Sequence, residues 1–249
     1  MTRRRFVALA GGAIACAASG SGCAAESFLG AANGRLQARP RTNITTSAKG
    51  TPKLGLGGTR DAVLQMPPAA GSAPLPLVVL LHGAGGAGER QLARFGSAPG
   101  EAGVAVLAPD SRGGTWDGIR GVFGPDVDYL DRALARVFEL VAVDPARVSV
   151  WGFSDGASYA LSLGLINGDL FRKIAALSPG FLVDGPPAGK PRIFVSHGTA
   201  DPILPIDMCS RRIVPQLRRR GYDVTFREFN GGHEVPPAIA KEALTWEGQ

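Results

Sequence analysis

At 249 residues, with 45% hydrophobic and 19% charged, the chain has the balance of a globular protein and is long enough for one sizeable core. Past the N-terminus it holds no apolar run of membrane-spanning length. Its net charge of +6 leans on residues 1–25, which carry three arginines and no acid; the remainder holds 24 bases against 21 acids, or +3. That surplus does not point to nucleic acid, and Arg211, Arg212, Arg218, Arg219 and Arg220 read as the solvated face of a helix.

Thr2-Arg3-Arg4-Arg5-Phe6 is followed by a short, weakly apolar run from Ala8 to Ala18. Residues 1–25 read as an export segment, too short for a retained span, and the T-R-R-x-F arrangement resembles a twin-arginine signal. Its end has two readings: cleavage after Ala25, or a lipobox at 20–23 with Cys23 lipidated, although Gly20 stands where an aliphatic residue is usual. Either places the protein outside the cytoplasm, as a periplasmic, secreted or lipid-anchored protein with Cys23 its membrane attachment. Cys16 and Cys23 fall in this segment, so Cys209 has no fixed partner and no disulfide framework follows.

Residues 26–58 are rich in Gly, Ala, Ser, Thr and Arg and lack both periodicities, which predicts a linker or disordered arm. Residues 59–249 then form one domain. An edge strand is expected at 60–66, stopped by Pro67-Pro68, and buried strands at 76–81 and 103–108, whose continuous apolar runs suit a parallel sheet. Apolar residues at 130, 134, 137, 138 and 141 predict a helix over 128–141. Further strands are expected at 147–151, 173–178, 192–196 and 223–229, with helices after Ser154, over 207–220 and over 237–246. This alternation predicts an α/β fold: a doubly wound, mostly parallel sheet with helices on both faces and its site beyond the carboxyl ends of the strands.

Gly152-Phe153-Ser154-Asp155-Gly156 reads G-x-S-x-G between a strand and a helix, the setting of a nucleophile elbow. Alone, the pattern is explained equally well by a glycine-rich turn with a solvated serine. Three more stretches at strand ends bear on it. Leu81-His82-Gly83-Ala84-Gly85-Gly86 frees backbone amides to stabilise an oxyanion, with Ala84 and Asp155 as donors and His82 in a structural role. Asp201, in a loop after a buried strand, is placed to orient a histidine. Asp207 reads instead as a helix cap and Asp184 as a solvated turn residue. His233 follows the last strand on a glycine-permitted loop. Of the three histidines it alone lies outside another motif, which leaves it as the base for Ser154. The chain order Ser154, Asp201, His233 is the order used by this kind of fold.

With LHGAGG at 81–86, GFSDG at 152–156, HGTADPILP at 197–205 and GGHEVP at 231–236, the chain resembles the α/β-hydrolase superfamily. Within it, it is similar to the phospholipase/carboxylesterase-type and polyhydroxybutyrate-depolymerase-like serine esterases. The resemblance implies acyl transfer from a small or soluble ester through an acyl-enzyme, with neither metal nor organic cofactor. Asp155 departs from the Gln or small residue often found after the serine, and its carboxylate is a candidate for tuning substrate preference. The competing readings are a non-catalytic ligand-binding protein on the same fold, and a thioesterase or peptidase with the same triad. The fourteen residues from Pro179 to Arg192 are too few for a helical cap domain. An open cleft is therefore expected, walled by that loop and by residues 113–125, with Trp116, Phe123, Phe153 and Phe181 lining it or belonging to the core. Such a cleft suits short-acyl or water-soluble esters.

Overall fold

The computed structural model describes residues 33–249; residues 1–25, read above as an export segment and holding Cys16 and Cys23, lie outside the described residues. Seven strands form one sheet: β1 Ala62–Gln65, β2 Leu75–Leu81, β3 Ala105–Pro109, β4 Val143–Phe153, β5 Lys173–Leu177, β6 Arg192–Gly198 and β7 Val224–Phe229. Their order is β1-β3-β2-β4-β5-β6-β7. β1 runs antiparallel to β3, and every other pairing is parallel.

The apolar runs of β2 and β3 are continuous because both faces of the sheet are covered. Leu77, Val79 and Leu81 face a core built with α3 (Pro125–Leu140), α4 (Asp155–Ile166) and α5 (Ser210–Arg219). Val78 and Leu80 face a second core that includes Leu92 of α1 (Gly88–Ala93) and Ile239, Ala243 and Trp246 of α6 (Pro237–Glu247). A one-turn α2 (Ala98–Glu101) and a 3-10 turn (Asp117–Arg120) complete the described elements. These and α1 are too short to leave a helical period in the sequence. α3 begins earlier than its apolar period because Pro125 fits the first turn, where no amide hydrogen is required.

Two expectations fail. Residues 33–58 are not a linker or disordered arm: they pack onto the domain. Leu36 is fully buried, its amide donates to Asn167 Oδ1 at 2.9 Å, and Asn167 Nδ2 donates to Gly34 O at 2.7 Å. Gln37 and Ala38 amides share Asp131 Oδ1 at 2.6 and 2.8 Å. Arg35 and Arg39 close on Asp169 at 2.8 and 2.6 Å, and Lys53 bridges to Val63. The partners are distant in sequence, so no local period betrays the packing. Nor does Asp207 cap a helix: α5 starts at Ser210 with Cys209 at its N-cap, and the Asp207 carboxylate pairs with Arg211 at 2.8 Å instead.

Between β5 and β6, residues 178–191 contain no helix, so no cap domain covers the sheet there. The strand order reverses at β2, with β3 on one side and β4 on the other. Leu81 at the end of β2 pairs with Gly152 near the end of β4. The loops that leave these strands part at this point and form a crevice, the usual ligand position in such sheets.

Candidate active site

The turn from β4 into α4 holds Ser154 at φ 59°, ψ −122°, a left-handed backbone that costs a non-glycine residue on the order of 1–3 kcal/mol. Gly152 and Gly156, two positions away on either side, have no room for side chains. A Cβ on Gly156 would lie 2.4 Å from the His82 carbonyl oxygen. The turn is thereby pressed against the end of β2, and Ser154 projects over the crevice at the N-terminus of α4.

The other two loops meet backbone to backbone. A Cβ on Gly198 would lie 2.2 Å from Gly232 O, and the Thr199 and Ala200 amides donate to Phe229 O and Gly231 O at 2.9 and 3.0 Å. This contact carries Asp201 to His233. His233 Nδ1 donates to Asp201 Oδ2 at 2.6 Å, and the Ser154 hydroxyl donates to His233 Nε2 at 2.7 Å. The three side chains read from the sequence thus form one hydrogen-bonded row, although Ser154 and His233 are 79 positions apart.

The Asp201 carboxylate is fully buried and fully engaged. Its Oδ1 accepts the Ile203 and Leu204 amides at 2.9 and 2.8 Å. Burial pushes its pKa upward, but the Leu204 amide, His233 and the Ile203 amide outweigh that and hold it below the usual carboxylate range. It therefore stays an anion behind the His233 ring. The other two histidines are held by other groups, and His197 Nε2 also lies 3.3 Å from Asp201 Oδ2. His197 is buried between Ser210 Oγ and Leu204 O at 2.6 and 2.7 Å. His82 donates to Gly83 O at 2.7 Å and accepts the Ser111 amide at 3.0 Å. Burial lowers both pKa values, so both rings are neutral at pH 7.

Ala84 lines the crevice with Ser154, Asp155 follows Ser154 as the first residue of α4, and neither backbone amide has a hydrogen-bond acceptor among the described residues. A carbonyl oxygen on a carbon bonded to Ser154 Oγ is the kind of acceptor such a pair takes. The Asp155 carboxylate does not reach into the crevice. It turns back to the loop after β3, where its Oδ2 accepts the Thr115 hydroxyl and the Trp116 amide. Burial raises its pKa. The side chain holds that loop to the elbow and does not line the crevice.

The crevice is an open cleft of about 500 Å³. Of the four aromatic candidates, Phe153 lines it, its ring against His233 at a centroid distance of 4.9 Å. Trp116 does not, since its indole donates to His82 O at 2.8 Å and it stacks on Tyr159 at 5.2 Å. Phe123 packs on the same Tyr159, and Phe181 lies against the main core. Residues 113–125 do not border Ser154 directly; much of that loop lines an adjoining hollow that shares Ala84 with the cleft. The walls are instead α1, through Arg90, Gln91 and Arg94, and the loop after β6, through Ile203, which is 66% exposed. Arg90 and Arg94 belong to none of the motifs in the sequence. Their four-residue spacing directly after the glycine loop was the available signal.

The sheet order with its reversal at β2, the elbow after β4 and the loops that converge on it define an α/β-hydrolase by fold. No family model matches the chain. A curated relative is NocK of Nocardia uniformis subsp. tsuyamanensis, which bears the provisional name of an esterase. It is 30% identical over 186 residues, 69% of this chain and 53% of NocK, so the chain spans about half the length of that relative. Among solved structures, esterase PE8 matches with a TM-score of 0.61 and 26% identity over 74% of this chain and 97% of that one. A carboxylesterase of Bacillus cereus matches with a TM-score of 0.59 and 21% identity over 76% and 93%, a likeness of fold.

Proposed function

We propose that this protein is a serine esterase that hydrolyses carboxylic esters through an acyl-enzyme, with Ser154 as nucleophile, His233 as general base and acid, and Asp201 as the carboxylate that orients His233. The observation that carries this reading is the row Ser154–His233–Asp201, with links of 2.7 and 2.6 Å, at the N-terminus of α4. His233 Nε2 takes the Ser154 proton as Oγ bonds to the ester carbonyl carbon. The Ala84 and Asp155 amides stabilise the oxyanion. Collapse breaks the bond to the alcohol oxygen, which leaves with the proton from His233. Water then gives its proton to the same nitrogen, attacks the acyl carbon and releases the acid, restoring Ser154. Asp201, held as an anion, balances the imidazolium in both halves.

The esterase names of NocK and PE8 support the reaction class. The cap-free span between β5 and β6 and the open cleft support short-acyl or water-soluble esters as substrates. The basic, then weakly apolar, N-terminal segment supports export, with Cys23 as a lipid attachment or Ala25 as a cleavage point. A fluorophosphonate probe and a p-nitrophenyl ester series from acetate to palmitate test the proposal. The expected result is labelling of wild type but not of Ser154→Ala, with turnover falling as the chain lengthens. An unlabelled wild type defeats the enzymatic reading. Equal turnover on palmitate and acetate defeats the chain-length reading.

A further inference from the structure

The charged side chains that line the Ser154 cleft are two arginines and no acid. Arg90 and Arg94 project from α1; Glu89 and Glu234, close in sequence, do not line it. Arg90 is tied to the glycine loop by donation to Gly85 O at 2.9 Å. Arg94 makes no ion pair among the described residues, and its guanidinium lies over the Phe153 ring at 5.2 Å. The same ring lies against His233 at a centroid distance of 4.9 Å, so a cation without an ion pair sits one aromatic ring from the base. Beside it, Gln91 is 97% buried at 3% exposure, and its Nε2 has no acceptor. Buried amide donors ordinarily have partners. The cleft continues past Gln91 and Arg94 into a groove of about 420 Å³ between α1 and α6, where Phe95, Val235 and Leu244 supply apolar wall and Lys241 is a further cation, again with no acid.

We propose that the esters this site prefers carry a carboxylate, received by Arg94 with Gln91 as the second donor. The inference rests on the esterase reading and narrows its substrate class. The Arg94 guanidinium has only N–H donors and Gln91 Nε2 lacks an acceptor, and a carboxylate supplies acceptors to both. The Phe153 ring and the groove provide the apolar bed for the carbon skeleton between ester and carboxylate. An exposed cation is screened by salt, so the preference shrinks as ionic strength rises.

Two substrate pairs test it, one for each side of the ester. Mono-p-nitrophenyl adipate is compared with p-nitrophenyl hexanoate for a carboxylate on the acyl side, and 4-acetoxybenzoate with its methyl ester for the alcohol side. Each kcat/KM ratio is read relative to the same ratio in Arg94→Gln, which cancels intrinsic reactivity. The expected result is a charged-to-neutral ratio about tenfold higher in wild type than in Arg94→Gln for at least one pair, the scale of one charge-assisted hydrogen bond. The change lies mainly in KM, Arg94→Lys recovers part of it, and 0.5 M NaCl reduces it. Arg136→Gln, on the solvent side of α3, keeps the wild-type ratios. Ratios unchanged by Arg94→Gln in both pairs, with the fluorophosphonate still labelling wild type, overturn the carboxylate preference and leave the esterase intact. A wild type that neither labels nor hydrolyses any of the four overturns both.

Discussion

Gly152 and the carbonyl of Gly156 touch across the elbow: a Cβ on Gly152 would lie 2.0 Å from that oxygen. The contact is between backbones, so no side chain can yield to a methyl group. Gly152→Ala is expected to destabilise the fold by roughly 3–5 kcal/mol, at the upper end for a single added methyl. Urea denaturation of the variant would show a lower midpoint with an unchanged slope. A wild-type midpoint would mean that the elbow is looser than the contact implies.

The hydrogen-bonded row sets unequal costs for its members. Ser154→Ala removes the nucleophile and should lower kcat by roughly 10⁴ to 10⁶-fold. Asp201→Asn keeps the size of the side chain but presents a neutral amide to His233, and about 10⁴-fold is expected. It should still react slowly with the fluorophosphonate, unlike Ser154→Ala. Equal loss of labelling in both would mean that Asp201 acts on folding and not on the orientation of His233.

Asp126 gives the protein a pH dependence opposite to the usual carboxylate pattern. Burial raises its pKa from 3.8 to about 6, against the pull of the Arg112 amide and with a further push from Asp117. The folded state thus holds a proton that the unfolded chain has released between about pH 4 and 6. In this window the contribution of Asp126 falls as pH rises, and it is flat above. Asp126→Asn lacks this titration. The stability of wild type minus that of Asp126→Asn should therefore be greater at pH 4.5 than at pH 7, by roughly 2 kcal/mol. Denaturation curves of both proteins at the two pH values decide it; a constant difference, or one that grows with pH, contradicts the assignment. Asp201 runs the other way. Its pKa is depressed, so its contribution is present above the unfolded range and lost only in stronger acid.

Asn167 is the clasp for residues 33–40. It is fully buried, accepts the Leu36 amide, and donates to Gly34 O and Leu163 O at 2.7 and 2.9 Å. Asn167→Ala leaves the Leu36 amide and the Gly34 carbonyl without this partner, at a cost of about 2–4 kcal/mol. Hydrogen exchange should show lost protection at Leu36 and Ala38 before any loss in β4. Protection unchanged at these amides would show that the ion pairs of Asp169 suffice to hold the segment.

Much of the fold was legible because its signals are local. The apolar runs of β2, β3, β5 and β6 and the periodic face of α3 are properties of five to fourteen consecutive residues. The order of Ser154, Asp201 and His233 at strand ends was legible for the same reason. What escaped depends on distant partners. Residues 33–58 carry no period, yet Asn167, Asp131 and Asp169 fasten part of them. Trp116 and Phe123 carry the same apolar rings as Phe153, and only their burial against Tyr159 removes them from the cleft. Asp155 sits beside the nucleophile in sequence while its carboxylate faces Thr115 and Trp116.

The sequence by itself determined the strand-and-helix alternation, the elbow at Ser154 and the loops that could hold its partners, since periodicity and glycine placement act within a few residues. The tertiary structure alone decided what surrounds them: that Gly198 lets the Asp201 and His233 loops meet, that α1 walls the Ser154 cleft while much of 113–125 lines the adjoining hollow, and that Arg94 stands there without an acid. These are matters of which surfaces exclude water from one another, and burial is a property of the packed chain that no short stretch of it carries.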